Sequence, residues 1–105
     1  MAILLKQFKE AIDDFNKTLE LNPNYTDGYN NRGLTYLLLN NTTAALKDFN
    51  QALIIKPDSI LFLTNRIKAH IQNTSYDLAL QDAQRIKELG GIIDPTLIDA
   101  IKPKI

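Results

Sequence analysis

The side chains that first invite a chemical reading are a lone histidine, His70, and four carboxylates, Asp13, Asp14, Asp48 and Asp82. A catalytic histidine needs a nucleophile or a second acid within reach, and a metal site needs several ligands converging on one point. The sequence has no cysteine and no nucleophile–base arrangement around His70. The spacings of a P-loop, a GxGxxG turn, an HExxH helix and an EF-hand loop are all missing. Asp14, Asp48 and Asp82 follow one another at equal steps along the chain. Carboxylates recurring on the outer side of successive helices read as solvated faces, not as an acid–base pair or a cation site. The expectation is therefore no catalytic residue, no metal, no cofactor and no enzyme, with His70 as a half-buried packing residue.

Composition narrows the class further. Twelve basic and twelve acidic residues cancel, so no electrostatic footprint for nucleic acid or an anionic membrane is expected. The apolar run before Lys6 is too short for a signal-peptide core or a membrane span. With no cysteine the composition fits a reducing compartment, and a cytoplasmic, soluble protein is expected. Asparagine is abundant, so glycosylation sequons at Asn16, Asn24, Asn40, Asn41 and Asn73 read as chance.

The elements that position these residues follow from the same step. Over it Pro23 recurs as Pro57, Phe15 as Phe49, Ala11 as Ala45, Leu19 as Leu53 and Asn31-Arg32 as Asn65-Arg66. A weaker third copy has Ala79 after Ala45 and Asp82 after Asp48. Apolar residues at helical spacing give a stripe of Phe8, Ala11, Ile12, Phe15 and Leu19, then one of Tyr29, Gly33, Tyr36 and Leu37. Further stripes run through Ala45 to Leu53, Leu63 to Ile71 and Tyr76 to Ile86. The last helix opens with Asp94 as N-cap and Pro95 at the first helical position. About six short helices result, an all-α fold.

The residues that recur are those of a known pattern, the tetratricopeptide repeat, whose unit is about 34 residues long. Tyr29, Gly33, Tyr36, Ala45, Phe49 and Pro57 stand at the offsets of its aromatic, glycine, tyrosine, alanine, phenylalanine and proline, and the sequence resembles it over nearly its whole length. Residues 26–59 resemble a full unit, with Arg32 in place of the leucine. Residues 1–25 resemble the second half of a unit, whose first helix is missing or reduced to residues 1–5. Residues 60–93 form a degenerate unit, in which Leu63, Ile67, His70, Ala83 and Gly91 replace the family residues. Residues 94–105 supply a capping helix. Ile67 in place of the glycine requires that pair of helices to splay or repack.

The resemblance implies a right-handed superhelical array of antiparallel helix pairs, an α-solenoid whose first helices line a concave groove that takes peptides or helices. By register, the groove positions here are Asn30, Asn31, Leu34 and Leu38 from one helix and Thr64, Asn65, Lys68 and Gln72 from the next. Side-chain amides there are expected to bond a partner's backbone. The lysine and arginine of the family's carboxylate-gripping members are replaced by Leu61 and Asn65, so such clamping is not expected. Arg32 and Arg66 are candidates for structural pairing with Asp27, Asp48 or Asp82. The implied function is a non-catalytic interaction module or scaffold binding a protein or peptide. The alternative is a structural subunit or a fragment of a longer array, using an uncapped N-terminal edge and its outer faces for permanent assembly or self-association.

Overall fold

The computed structural model describes residues 2–102, with side chains from Leu4 onward. Six helices follow in order: α1 (Ala2–Leu21), α2 (Thr26–Leu38), α3 (Thr42–Ile55), α4 (Ile60–Gln72), α5 (Tyr76–Glu88) and α6 (Pro95–Ile101). There is no strand among the described residues. Residues 2–5 are the opening turn of α1, which runs unbroken to Leu21, so no separate first helix precedes it among the described residues. Met1, and residues 103–105 of the expected capping segment, lie outside them.

Local chemistry sets the helix ends. The Asn41 side chain accepts from the Ala44 amide, Ser59 from Phe62 and Asp94 from Thr96, each supplying an acceptor to a first-turn N–H that has no partner within its own helix. The turn between α2 and α3 places Asn40 in the left-handed region (φ 59°), and the Asn41 amide donates back to the Tyr36 carbonyl at 2.9 Å. The same turn recurs one unit on, with Thr74 at φ 57° and the Ser75 amide donating to the His70 carbonyl at 2.8 Å. In both, a left-handed residue lets the chain satisfy the last carbonyls of a helix. After α5 that position belongs to Gly90, at φ 81°.

Such short turns hold consecutive helices side by side. α2 packs on α3, α4 on α5, and each pair on the next through α3 and α4, while α1 packs on α2. The first helices also touch in sequence, α2 on α4 and α4 on α6, but α1, α3 and α5 make no comparable contact among the described residues. α2, α4 and α6 thus form one layer, called the inner layer below, and α1, α3 and α5 the outer layer. The main core runs through Leu53, Phe62, Leu63, Ile67 and Ile86 to Ile101, and a smaller cluster joins Ala45, Phe49 and Ala69. α6 packs on α4 and α5, with Ile101 buried and Asp99 and Lys102 exposed.

Gly33 sits where a Cβ would lie 2.7 Å from Cε1 of Phe49, whose ring is fully buried. The missing side chain is what lets α2 approach α3 so closely. In the next pair the sizes are exchanged: Ile67 takes the register position of Gly33, Ala83 that of Phe49, and both are buried in one core. The pair repacks, because a large side chain on the first helix meets a small one on the second.

Candidate interaction surface

The eight groove residues expected from the sequence divide once the inner layer is built. Asn30 and Asn65 are buried, and the Asn65 Nδ2 donates to the Asn30 Oδ1 at 2.7 Å, joining α2 to α4. This corrects their expected place on an open surface: the two helices pack closely enough that the Asn65 amide bonds the Asn30 carbonyl oxygen directly. Gln72 is exposed, but its amide donates to the Leu37 carbonyl and the Asn40 Oδ1 and accepts from the Thr42 hydroxyl, tying the end of α4 to the preceding turn. Thr64 is half-buried, with its hydroxyl donating to the Ile60 carbonyl one turn back. Leu34 is half-buried against the Ala45–Phe49–Ala69 cluster.

What remains open on the inner layer is narrower than expected and differently composed. On α2, Asp27, Asn31 and Leu38 share an exposed stripe, and on α4 the stripe is Leu61, Lys68 and Gln72. Leu38 is 68% and Leu61 59% exposed. Leu61 is absent from the groove set expected from the sequence, although its spacing carries the signal: it stands at the register position of Asp27, one unit on. Lys68 lies toward α6, where its charge contributes to lowering the pKa of the Asp94 carboxyl. The main cause of that lowering is donation by the Thr96 amide and hydroxyl.

The recurring arginines and aspartates form two matched latches. Arg32 donates from Nε and Nη2 to the two carboxylate oxygens of Asp48 at 2.8 and 2.7 Å, and from Nη1 to the Asn16 Oδ1 at 2.9 Å. Arg66 repeats the arrangement with Asp82 at 2.8 and 2.6 Å and Asn50 at 3.1 Å. Each arginine thus grips the second helix of its own pair and that of the preceding pair. Asp48 and Asp82, expected on solvated faces, are only 2% and 5% exposed. They can be buried because a planar guanidinium meets each carboxylate with two parallel bonds. Bonding to Asp48 raises the Arg32 pKa despite partial burial.

His70 lies beside the second latch, with Nε2 3.7 Å from Asp82 Oδ2 and Nδ1 buried without a hydrogen-bond partner among the described residues. Burial lowers its pKa, the Asp82 charge opposes that and the Arg66 charge adds to it. No cluster of three or more potential metal ligands occurs among the described residues. None of the helices described there is long and apolar enough to cross a membrane.

Comparison with known proteins falls on the same register. A family model described as "Tetratricopeptide repeat" matches residues 26–59, and one described as "TPR repeat" matches residues 3–40. Human "Sperm-associated antigen 1" is 28% identical over 95 residues, which cover 90% of this chain and 10% of that protein. The "UDP-N-acetylglucosamine--peptide N-acetylglucosaminyltransferase" of Giardia intestinalis is 35% identical over 51 residues, covering 49% of this chain and 3% of that protein. The chain spans a tenth or less of the length of these relatives. With two overlapping family models lying on the period that the latches and the turns repeat, the chain belongs to the tetratricopeptide repeat family, whose units are protein-interaction modules.

Proposed function

We propose that the chain is a non-catalytic docking module that holds a segment of another protein against its inner layer, within a larger complex of the cytoplasm. The observation that carries this reading is the pair of exposed leucines, Leu38 and Leu61, on adjacent helices of the layer. Exposed leucines gain from removal of their apolar surface from water, about 25 cal/mol per Å². Leu38 and Leu61 stand at opposite ends of the layer, and Asn31 and Lys68 supply polar contacts between them, with Leu34 and Thr64 beneath. Asn30, Asn65 and Gln72 act indirectly, by fixing the spacing of α2 and α4. The preferred segment is an amphipathic helix or extended peptide with apolar anchors.

The test uses photo-crosslinking residues placed one at a time at Leu38, Leu61, Ile54 and Leu78 in the native cell. Ile54 and Leu78 are exposed on α3 and α5, in the outer layer. Linkage of a protein partner from Leu38 and Leu61 but not from Ile54 or Leu78 supports the reading. Linkage from the outer positions alone overturns it. A second reading, permanent assembly through the α1 edge, is favoured by the open face of that helix.

A further inference from the structure

The α4–α5 pair has no counterpart to one ring of the α2–α3 pair. On α2 the Tyr29 hydroxyl donates to the Pro23 carbonyl at 2.8 Å, and the Arg32 Cζ lies 5.7 Å from the centre of the Tyr29 ring. The ring thus ties α2 to the turn before it and lies against the guanidinium of the first latch. One unit on, Pro57 and Arg66 keep the register of Pro23 and Arg32, but Leu63 stands in place of Tyr29. The lost volume is made up within the core, where the fully buried Ile86 takes the register position of Ala52. Ile86 brings neither a hydroxyl for Pro57 nor a ring for Arg66. A cavity of about 330 Å³ opens there, between Leu53, Ile54 and Pro57 on one side and Leu63, Arg66 and Asp82 on the other. That volume falls at the small end of ligand pockets, which run from about 300 to 1,000 Å³.

The chemistry left open in the cavity is narrow. Arg66 commits Nε, Nη1 and Nη2 to Asp82 and Asn50, yet its side chain is 25% exposed. What it still offers is the face of a guanidinium whose charge is already matched, and such a face attracts an aromatic ring. The Pro57 carbonyl, unlike that of Pro23, receives no hydrogen bond among the described residues, so it can accept one. Leu53, Ile54 and Leu63 supply apolar wall. Arg85 also lines the cavity and is paired with Asp58 and Glu88, so no unmatched positive charge waits for an anion.

We propose that this cavity between α3, α4 and α5 is a binding site for a small neutral phenol. Its ring lies against the Arg66 guanidinium and its hydroxyl donates to the Pro57 carbonyl, as Tyr29 does inside the preceding pair. Bound in this way, it ties the start of α4 to the α3–α4 turn. A tyrosine on a docked polypeptide has the same ring, but its backbone has to cover the exposed side chains of Arg85, Asp58 and Glu88, and taking charges out of water is costly. A free phenol leaves them hydrated. The site does not depend on the inner-layer reading.

The probe is p-cresol, the tyrosine side chain without its backbone, titrated into the intact protein and followed by amide chemical shifts. Expected are saturable shifts at Asp58, Leu63, Arg66 and Asp82. Toluene should bind about threefold or more weakly, the order expected when one neutral hydrogen bond is lost, and 4-methylphenyl phosphate should not compete. Ile54→Glu, which copies Glu20 of the preceding unit at an exposed position, should weaken p-cresol by a similar factor. Leu63→Tyr combined with Ile86→Ala copies Tyr29 and Ala52, fills the cavity from within and should abolish binding; if that double variant does not fold, Ile54→Glu still decides. Shifts that do not saturate at millimolar p-cresol or that centre elsewhere overturn the proposal. So do equal binding of toluene, tighter binding of 4-methylphenyl phosphate, and p-cresol binding that Ile54→Glu leaves unchanged. A photo-crosslinker at Ile54 that joins a protein through a tyrosine in the native cell overturns the choice of a free ligand. Crosslinks from Leu38 and Leu61 are unaffected by either result with p-cresol, which keeps this site and the inner-layer reading separable.

Discussion

The α2–α3 pair and the α4–α5 pair fill matching register positions by opposite packing. In the first, a glycine on the first helix receives a phenylalanine from the second; in the other, an isoleucine on the first helix faces an alanine. The polar framework does not exchange: both pairs keep the arginine–aspartate latch with nearly the same bond lengths. What the repeat keeps between its copies is the summed volume at the contact together with a fixed polar grip. A core accepts such exchanges when total volume and patterning hold. The identity of the residue at the glycine position is therefore a poor guide to whether a unit is intact.

The largest effect expected from breaking this comparison comes from Phe49→Ala, which empties the smaller cluster and should cost about 3–5 kcal/mol in denaturant unfolding. Gly33→Ile alone should cost about 1–3 kcal/mol, since a side chain there meets the Phe49 ring. Made together, the two changes copy the α4–α5 solution into α2–α3, and the double variant should be more stable than the sum of the single losses by at least about 1 kcal/mol. Strict additivity would show that the two pairs are not equivalent exchanges. Next in size are the latches. Asp48→Ala and Asp82→Ala should each cost about 1–3 kcal/mol, because each strands a partly buried guanidinium. Asp14→Ala, with no ion pair to lose, should change unfolding of the same protein by about 0.5 kcal/mol or less. A large loss at Asp14 would mean that α1 is already partnered on that face.

The helices, the repeat and the cap at Asp94 are legible in the sequence, since periodicity and turn chemistry are local properties that a chain displays directly. The fate of the groove amides is not. Asn30 and Asn65 sit 35 residues apart, and their burial depends on how closely α2 approaches α4, which no helical wheel contains. The burial of Asp48 and Asp82 escapes a sequence reading for a related reason. Taken by itself a recurring aspartate looks solvated, and only its pairing with Arg32 or Arg66, also recurring, permits burial. The sequence does contain that clue, because the two arginines repeat at the same interval as the two aspartates. Leu61 draws notice in the sequence only as the absence of a clamp residue, although exposure at its register is what leaves an apolar side chain available.

The turns give a smaller contrast in the opposite direction. Asn40 and Thr74 occupy one left-handed position in the two turns, and Asn tolerates it while a β-branched residue is strained there. Copying the first turn into the second by Thr74→Asn should raise stability by about 1 kcal/mol, seen as a higher thermal midpoint. A lower midpoint would mean that the bond from the Thr74 hydroxyl to the Asn73 carbonyl outweighs the strain.

The last difference is silent at neutral pH. Tyr36 and His70 stand at one register position, and only the second titrates between acid and neutral pH. Burial disfavours the imidazolium, and the facing charges act in opposite senses, Asp82 raising and Arg66 lowering the pKa, so the folded value stays below the ordinary 6.5. In the window between that lowered value and 6.5 the unfolded chain binds a proton that the folded protein refuses, so stability must fall as the pH drops. The contribution is complete above 6.5 and lost progressively below it. Copying Tyr36 by His70→Tyr removes the group, so the difference in unfolding free energy between wild type and variant should change with pH only in the acid window, where wild type loses ground. If wild type instead gains relative to the variant on acidification, the imidazolium is held by Asp82 at 3.7 Å more strongly than burial opposes it, and the ion pair governs the site.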